Sequence, residues 1–320
     1  MRTGRASALT DTGRRRPHNE DTFVCDPPLF AVADGVGGAQ AGEIASRLAA
    51  AALEERIPTA LGGETLAQLI QTANDRIYRH ALEDPAAAGM GTVVTALLVD
   101  EDAGDIAIGH VGDSRAYRLR EGVFEQLTPD HSLVGELVRS GRLSTEEAEN
   151  HPHRSVITRA VGTEPTVDVE TLSVAAVPGD LYLICSDGLT DIVRDEQIAE
   201  LIAAADHDPD AAAEALVAAA NRAGGIDNIT VVLFEIIEGD PVPPAPDEPE
   251  VAPEPDEDTM EQATAAVAVA ETDPTDPEAT PETVPVRRHG AGPGGRWLAL
   301  LAIVLALAVA AMVIWWSLGR

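Results

Sequence analysis

LFAVADGVGG, from Leu29 to Gly38, is the stretch of this sequence from which a fold can be built outward. Its first five residues are apolar and predict a short buried strand. The strand runs directly into Asp34 and a glycine-rich turn with Gly35, Gly37 and Gly38, so a carboxylate stands at the end of a rigid core element. Taken alone, an Asp-Gly pair after a strand is most often an ordinary turn, and the rest of the chain has to decide its function.

Composition narrows the classes of function. Of the 320 residues, 45% are hydrophobic, which is enough for a full core with residues left for appendages. The formal net charge of -32 argues against nucleic-acid binding, because a phosphate backbone would be repelled by most of this surface. The two cysteines, Cys25 and Cys185, match neither a zinc pattern nor a disulfide framework, and we expect both to be reduced and buried.

Residues 1–237 alternate strand-like and helix-like patterns. Helices are predicted over about 40–57, 64–82, 195–204 and 209–223, and strands over SALTDTG, DTFVC, LFAVADG, TVVTALLVD, DIAIGHVGD, SRAYRLREG, VFEQLT, SVITRAVG, VDVETLSVA, DLYLICSDG and NITVVLFEII. The strands from TVVTALLVD to VFEQLT are separated only by turns, which favours an antiparallel meander over a βαβ alternation. We therefore expect an α+β fold with two sheets packed face to face and helices outside both; the patterns do not fix the strand order.

The character of the chain changes after residue 237. Residues 238–285 carry fifteen acidic residues and no basic one, so we expect a disordered, Pro-rich linker that continues with juxtamembrane arginines to residue 296. Residues 297–318 contain no charge and, at ~1.5 Å per helical residue, are long enough to cross the ~30 Å hydrocarbon layer. Three arginines precede this segment and one follows it. The sequence thus predicts a single-pass protein of the cell membrane with a cytoplasmic catalytic domain.

Carboxylates recur beside strand ends or tight turns along the first 237 residues. They are Glu20 and Asp21 in RRRPHNED, Asp34, Asp113 in HVGDSR, Asp187 in LICSDGL and Asp227 in GGIDNITVV. Oxygen ligands with no nearby His or Cys partner suit Mg²⁺ or Mn²⁺ better than zinc. For any one of these residues the better interpretation is a turn or cap aspartate, and only the set taken together favours a metal site.

The order and wording of six short motifs resemble the metal-dependent protein phosphatase family, the PPM or type 2C Ser/Thr phosphatases, and in particular its bacterial membrane-anchored members. The resemblance covers about residues 5–237. The motifs are R-x-x-N-E-D at Arg16 to Asp21, A-D-G-x-G-G at Ala33 to Gly38, G-D-S-R at Gly112 to Arg115, T-P-D-H-S at Thr128 to Ser132, S-D-G-L at Ser186 to Leu189 and D-N-I-T-V at Asp227 to Val231. Any single motif would be weak evidence, whereas six in family order are strong.

The resemblance implies a four-layer α/β-β/α sandwich with a metal centre in the cleft between two antiparallel sheets. It implies two Mn²⁺ or Mg²⁺ ions bridged by Asp34. The Gly35 carbonyl and Glu20 would bind one ion, and Asp187 and Asp227 would bind the other.

Three further roles follow from the resemblance. Asp21 would hold metal-bound water, and Asp113 would join Asp187 at a possible third metal site. Arg16 would bind the substrate phosphate, for which a bidentate guanidinium is well suited. A water bridging the two ions would attack phosphorus in line, with no phosphoenzyme.

Several side chains near the motifs leave their roles open. Ser114 and Ser186 have no activating base nearby in sequence and are better interpreted as turn or capping groups. Many eukaryotic relatives carry a His, proposed as the general acid, where this chain has Val36. The acid could instead be a metal-bound water or His131, although a lone His after a strand is more often structural.

The segment from about 133 to 154 resembles the family's flap beside the active site. Its glycines and polar helices favour mobility and a role in substrate selection. We expect Arg154 or His153 to contact residues that flank the phosphorylated side chain.

The leading interpretation is Mn- or Mg-dependent hydrolysis of phosphoserine and phosphothreonine on proteins, opposing bacterial Ser/Thr kinases. One alternative is a phosphatase that acts on a phosphorylated regulator of the anti-sigma-antagonist type. The metal site of such an enzyme would be the same as in the leading interpretation. Another is an inactive membrane-tethered scaffold that binds phosphoproteins. The intact carboxylates argue against the scaffold, because binding alone does not require mutually repulsive groups in one cleft.

Overall fold

The computed structural model describes residues 1–37, 41–55, 61–144, 147–148 and 151–239. All but the first two residues of the predicted linker, and the predicted membrane helix at 297–318, lie outside the described residues. Within the described ranges, no helix combines the length and the apolar character that a membrane crossing requires.

The described residues contain ten strands, which form two five-stranded sheets in which every neighbouring pair is antiparallel. In chain order they are β1 Arg2–Asp11, β2 Thr22–Asp26, β3 Leu29–Val36, β4 Gly91–Asp100, β5 Asp105–Val111, β6 Arg115–Arg120, β7 Val123–Gln126, β8 Glu170–Ala175, β9 Leu181–Cys185 and β10 Ile229–Ile237. Sheet A has the order β1-β10-β9-β6-β7, and sheet B has the order β2-β3-β4-β5-β8.

Helices cover the outer face of each sheet. The α-helices of the described residues are α1 Ala41–Glu54, α2 Gly63–Glu83, α3 Leu133–Arg139, α4 Asp187–Thr190, α5 Asp195–Ala204 and α6 Pro209–Ala223, of which α3 belongs to the predicted flap and not to these layers. Apolar side chains of α1 and α2 share one buried cluster with sheet B, and those of α4, α5 and α6 share another with sheet A. These layers confirm the prediction of two antiparallel sheets flanked by helices.

The strand β3 explains why the first five residues of the opening stretch are all apolar. Leu29, Ala31 and Ala33 pack in the cluster formed with α1 and α2, whereas Phe30 and Val32 face the other sheet. Alternate side chains of a strand point to opposite faces, so a strand covered on both sides must be apolar throughout. The strand end that carries Asp34 is therefore held firmly from both sides.

Aromatic side chains join the two sheets. The rings of Phe30 from sheet B and Phe234 from sheet A stack with centroids 4.0 Å apart, and Tyr182 stacks on Phe234 at 5.2 Å. Both cysteines are free: Cys185 is buried as predicted, and Cys25 is only half-buried.

Two predictions of the strand pattern are wrong. The four strands from β4 to β7 do not form one meander, because the chain crosses from sheet B to sheet A between β5 and β6. Gly112 lies at this crossing with φ +116°, and a Cβ there would overlap the side chain of Val93. SVITRAVG, at 155–162, forms no strand in the described chain; its β-pairing is limited to two isolated bridges, Thr92 to Val161 and Ser132 to Ile157.

Candidate metal centre

The carboxylates predicted as metal ligands lie where strands of both sheets begin or end. Asp34 is near the end of β3, Asp113 follows β5, Asp187 follows β9, Asp227 precedes β10, and Glu20 and Asp21 precede β2. The negative charges of Asp21, Asp187 and Asp113 all act on Asp34. Residues far apart in sequence thus meet at one edge of the sandwich.

Asp34 occupies a site where a carboxylate is unfavourable without a cation. Burial and then the charges of Asp21 and Asp187 raise the pKa of Asp34 well above its usual range. Its backbone carbonyl accepts a hydrogen bond of 2.7 Å from Thr92 Oγ1, which fixes the strand end. A bound cation would restore the charged form, so the site favours a positive ligand.

Asp21 is 8% exposed, and its two oxygens are in different surroundings. Oδ2 accepts hydrogen bonds from Ser186 Oγ at 2.9 Å and Thr230 Oγ1 at 2.6 Å, while Oδ1 is buried without a partner. Burial raises the pKa of Asp21 to about 6, against the effect of the two hydroxyls. A buried oxygen without a partner is the feature expected of a ligand position.

The Gly35 carbonyl and the Glu20 carboxylate are brought together by a glycine that sequence analysis missed. A Cβ on Gly42 in α1 would overlap Glu20 Oε2 and lie 3.0 Å from Gly35 O. Asn228 supports the same region, because its Oδ1 accepts the Glu20 N–H at 2.8 Å. The two oxygens predicted to share one ion therefore both lie within 3.0 Å of the position that a Gly42 side chain would take. Nothing in the Ala-rich sequence of α1 marks Gly42, since the constraint comes from residues distant in the chain.

Asp187 and Asp113 form the other half of the cleft. Burial and the charges of Asp113 and Asp191 raise the pKa of Asp187 well above its usual range. Burial, followed by Asp130 and Asp191, raises the pKa of Asp113 to about 7. Sequence analysis missed Asp191, which follows the S-D-G-L motif and carries no signal of its own.

Arg16, predicted to bind the substrate phosphate, lies beside these carboxylates, and that role stays a prediction. Its side chain is 48% exposed, and Nη2 donates to Asp227 Oδ2 at 2.7 Å. The other oxygen of Asp227 accepts the backbone N–H of Asn228 at 2.8 Å. Both oxygens of this predicted ligand are thus engaged by the protein itself.

The carboxylate and carbonyl oxygens of this site fit a hard divalent cation, although the side chains do not form a complete coordination shell by themselves. Among the described residues, no three His, Cys, Asp or Glu side chains form a group that could hold a metal ion by themselves. The candidate ligands are carboxylate and carbonyl oxygens, which Mg²⁺ and Mn²⁺ prefer. Together with the unpartnered Asp21 Oδ1 and the paired oxygens beside Gly42, they fit such an ion, and the ligand assignments stay predictions.

The structure also places the side chains whose roles were open. Ser186 Oγ donates to Asp21 and accepts the Thr230 N–H at 3.0 Å, so it is a hydrogen-bonding group of the core. His131 is 1% exposed, with Nδ1 accepting from Gly112 N and Nε2 lying 3.0 Å from Glu170 Oε2. These contacts favour a structural role for His131.

The predicted flap borders a cavity of about 780 Å³. Val134 and Val138 of α3 line one side, and Ile192 lies among the residues opposite. Arg154 lines the cavity and forms an ion pair with Asp191 at 3.6 Å. The expected contacts of Arg154 and His153 with substrate stay predictions.

Comparison with known proteins gives the family. The family model described as Protein phosphatase 2C matches residues 18–221. The chain belongs to the protein phosphatase 2C family.

Individual relatives resemble the same part of the chain. Serine/threonine protein phosphatase PstP of Mycobacterium tuberculosis is 41% identical over 245 residues, which cover 74% of this chain and 46% of the relative. The chain therefore spans about half the length of that relative. Serine/threonine phosphatase stp of Listeria monocytogenes is 40% identical over 242 residues, covering 72% of this chain and 95% of the relative.

A solved structure adds the metal. The catalytic domain of serine/threonine protein phosphatase PstP in complex with two manganese ions is 37% identical and superposes with a TM-score of 0.66. The likeness covers 73% of this chain and 98% of that one. The two ions in that structure agree with the cofactor predicted for this chain.

Proposed function

We propose that this chain hydrolyses phosphoserine and phosphothreonine on proteins with manganese or magnesium, and so opposes Ser/Thr protein kinases. The observation that carries this proposal is the convergence of buried carboxylates, with mutually raised pKa values, at one edge of the sandwich beside Arg16. Relatives named Ser/Thr phosphatases support it.

The residues of the cleft have two separate roles: the carboxylates would bind the metal ions, and the arginine would bind the substrate phosphate. Bound divalent ions supply an activated water and offset charge on the phosphoryl oxygens. Asp34 and Asp187, already disfavoured as bare carboxylates, would hold the ions from the ends of β3 and β9. Arg16 is exposed enough to reach a phosphoryl group and can bind two of its oxygens.

The test is phosphate release from a phosphothreonyl peptide by the full chain. We expect turnover with Mn²⁺, loss of turnover with EDTA, and a loss of at least a hundredfold in Asp187→Ala. Asp75→Ala, which removes an exposed carboxylate of α2, is the matched control and should keep activity. If the wild-type chain with Mn²⁺ releases nothing from phosphopeptides or a small aryl phosphate, the proposal is wrong and an inactive scaffold takes its place.

We also propose that the protein is anchored in the cell membrane by residues 297–318, with its catalytic domain in the cytoplasm. The support is the uncharged apolar run and the arginines that precede it. Deleting 297–318 should move the protein from the membrane to the soluble fraction after cell lysis. A deleted protein that still sediments with membranes would contradict the anchor.

A further inference from the structure

We propose that Arg14 and Arg15 form, next to Arg16, a second anion-binding position that selects substrates with a negative group near the phosphorylated residue. The inference rests on the proposed phosphatase function and adds the class of substrate. Carboxylate side chains and a second phosphoryl group share the chemistry that such a position would recognise.

The three arginines lie on a loop, residues 12–18, that one side chain closes. Asn228 Nδ2 donates to Thr12 O at 3.0 Å and to His18 O at 2.9 Å, so both ends of the loop are tied to the same amide. Asn228 also accepts the Glu20 N–H. The loop is thereby fixed to the residues that enter the metal centre.

The loop packs on the turn that carries Asp227. Arg14 N donates to Gly225 O at 2.7 Å, and Arg16 Nη2 binds Asp227. Gly13 has φ +78°, and a Cβ there would overlap Asp227 O, so the loop approaches this turn as closely as a backbone can. Arg14 and Arg15 therefore directly precede, on the same fixed loop, the arginine predicted to bind the substrate phosphate.

The charges of this loop differ from those of its surroundings. Residues 1–237 hold 39 acidic and only 18 basic residues, yet three consecutive basic ones are exposed here. Within the described part of the chain, no carboxylate forms an ion pair with Arg14 or Arg15, unlike Arg16 with Asp227. Two exposed cations beside a phosphate-binding cleft favour an anionic partner over a neutral one.

The experiment compares one phosphothreonyl peptide in three forms, with alanine on both sides, with glutamate on both sides, or with a second phosphothreonine on one side and alanine on the other. The full chain with Mn²⁺ should show kcat/KM roughly tenfold higher for the two anionic forms, a ratio that two exposed ion pairs can supply together. In the Arg14→Gln/Arg15→Gln double variant the preference should disappear. Arg79→Gln, an exposed arginine of α2, is the control and should keep it. Added NaCl should reduce the wild-type preference.

The outcomes separate the inference from the function on which it rests. Turnover of the alanine peptide and of an aryl phosphate reports on phosphatase activity alone. Equal kcat/KM for all three peptides, or a preference that survives in the double variant, overturns the second position. If only the doubly phosphorylated form is preferred, the second anion-binding position is one for phosphoryl groups and not for carboxylates. If no substrate is hydrolysed, dissociation constants for phosphonate analogues of the three peptides apply the same criterion to binding.

Discussion

At the scale of single residues, His110 is a buried group whose protonation opposes folding. Its Nε2 lies 3.0 Å from Pro129 O and must donate there, while Nδ1 lies 2.9 Å from Thr95 Oγ1. The ring of His131 is 4.6 Å away. Burial, and then the charge of His131, lowers the pKa of His110 to about 4 from its ordinary 6.5. The neutral ring is therefore the form that the fold accepts.

This predicts acid sensitivity. Between pH 6.5 and 4 the unfolded chain binds a proton at His110 that the folded chain does not, so stability falls as the pH falls through this range. His110 alone should remove about 2 kcal/mol of unfolding free energy between pH 7 and pH 5. Urea unfolding at both pH values should show a smaller difference in His110→Gln than in the wild type. His80→Gln on α2 is the control, and an unchanged difference in His110→Gln would refute the assignment.

Short sequence motifs identify residues whose role depends on the residues next to them in the chain. They miss residues whose role depends on contacts with segments distant in sequence. Asp34 and Asp187 belong to recognisable sequence motifs at strand ends, so their convergence could be predicted from the resemblance. The roles of Gly42 and Asp191 could not be predicted, nor could the role of Asn228 within its motif, because all three depend on chain segments that only the fold brings near.

At the scale of elements, the start of α1 determines how closely the helix approaches the metal centre. Gly42 is buried in the first turn, and the Glu20 carboxylate and the Gly35 carbonyl occupy the space where its side chain would be. A glycine costs a helix about 1 kcal/mol relative to alanine. Its presence here is explained by the two oxygens that it admits.

Gly42→Ala should therefore impair metal binding more than folding. The new methyl group displaces Glu20 and lies 2.9 Å from the Gly35 backbone carbon, so we expect a melting temperature below that of the wild type, with part of the loss offset by better helix propensity. The Mn²⁺ concentration for half-maximal activity should rise about tenfold or more, as is usual when support of a ligand is lost. Gly62→Ala, with no atom within 4 Å of its Cβ, is the matched control. Unchanged Mn²⁺ dependence in Gly42→Ala would show that Glu20 does not bind the ion.

At the scale of the whole molecule, the two sheets are held together by a small set of large side chains. Phe30, Tyr182 and Phe234 are fully buried; Phe30 stacks on Phe234 across the interface, and Tyr182 stacks on Phe234 within sheet A. Sequence periodicity predicted the strands and the layers because alternation and apolar runs are local. It could not predict which sheet receives β6, since the crossing at Gly112 depends on contacts with Val93 in another strand.

Truncating one of these rings should loosen the sandwich. Phe234→Ala removes contacts from both sheets, and we expect the free energy of unfolding to fall by about 3–5 kcal/mol in urea titrations. Phe124→Ala, at the edge of sheet A and only half-buried, should cost less although its ring also stacks on a tyrosine, Tyr117. Equal losses in the two variants would contradict this view of the interface.

The pairing of the first strand with the last has a consequence for how the chain can be cut and rejoined. Arg2 lies opposite Ile237 in the β1–β10 ladder, so the two ends of the domain are neighbours. A short peptide can join them, and new ends can be opened at the exposed Glu121–Gly122 turn between β6 and β7. Such a circular permutant would keep every strand pairing and every residue of the metal centre. It would also free the C-terminal segment to be attached at a different point of the domain.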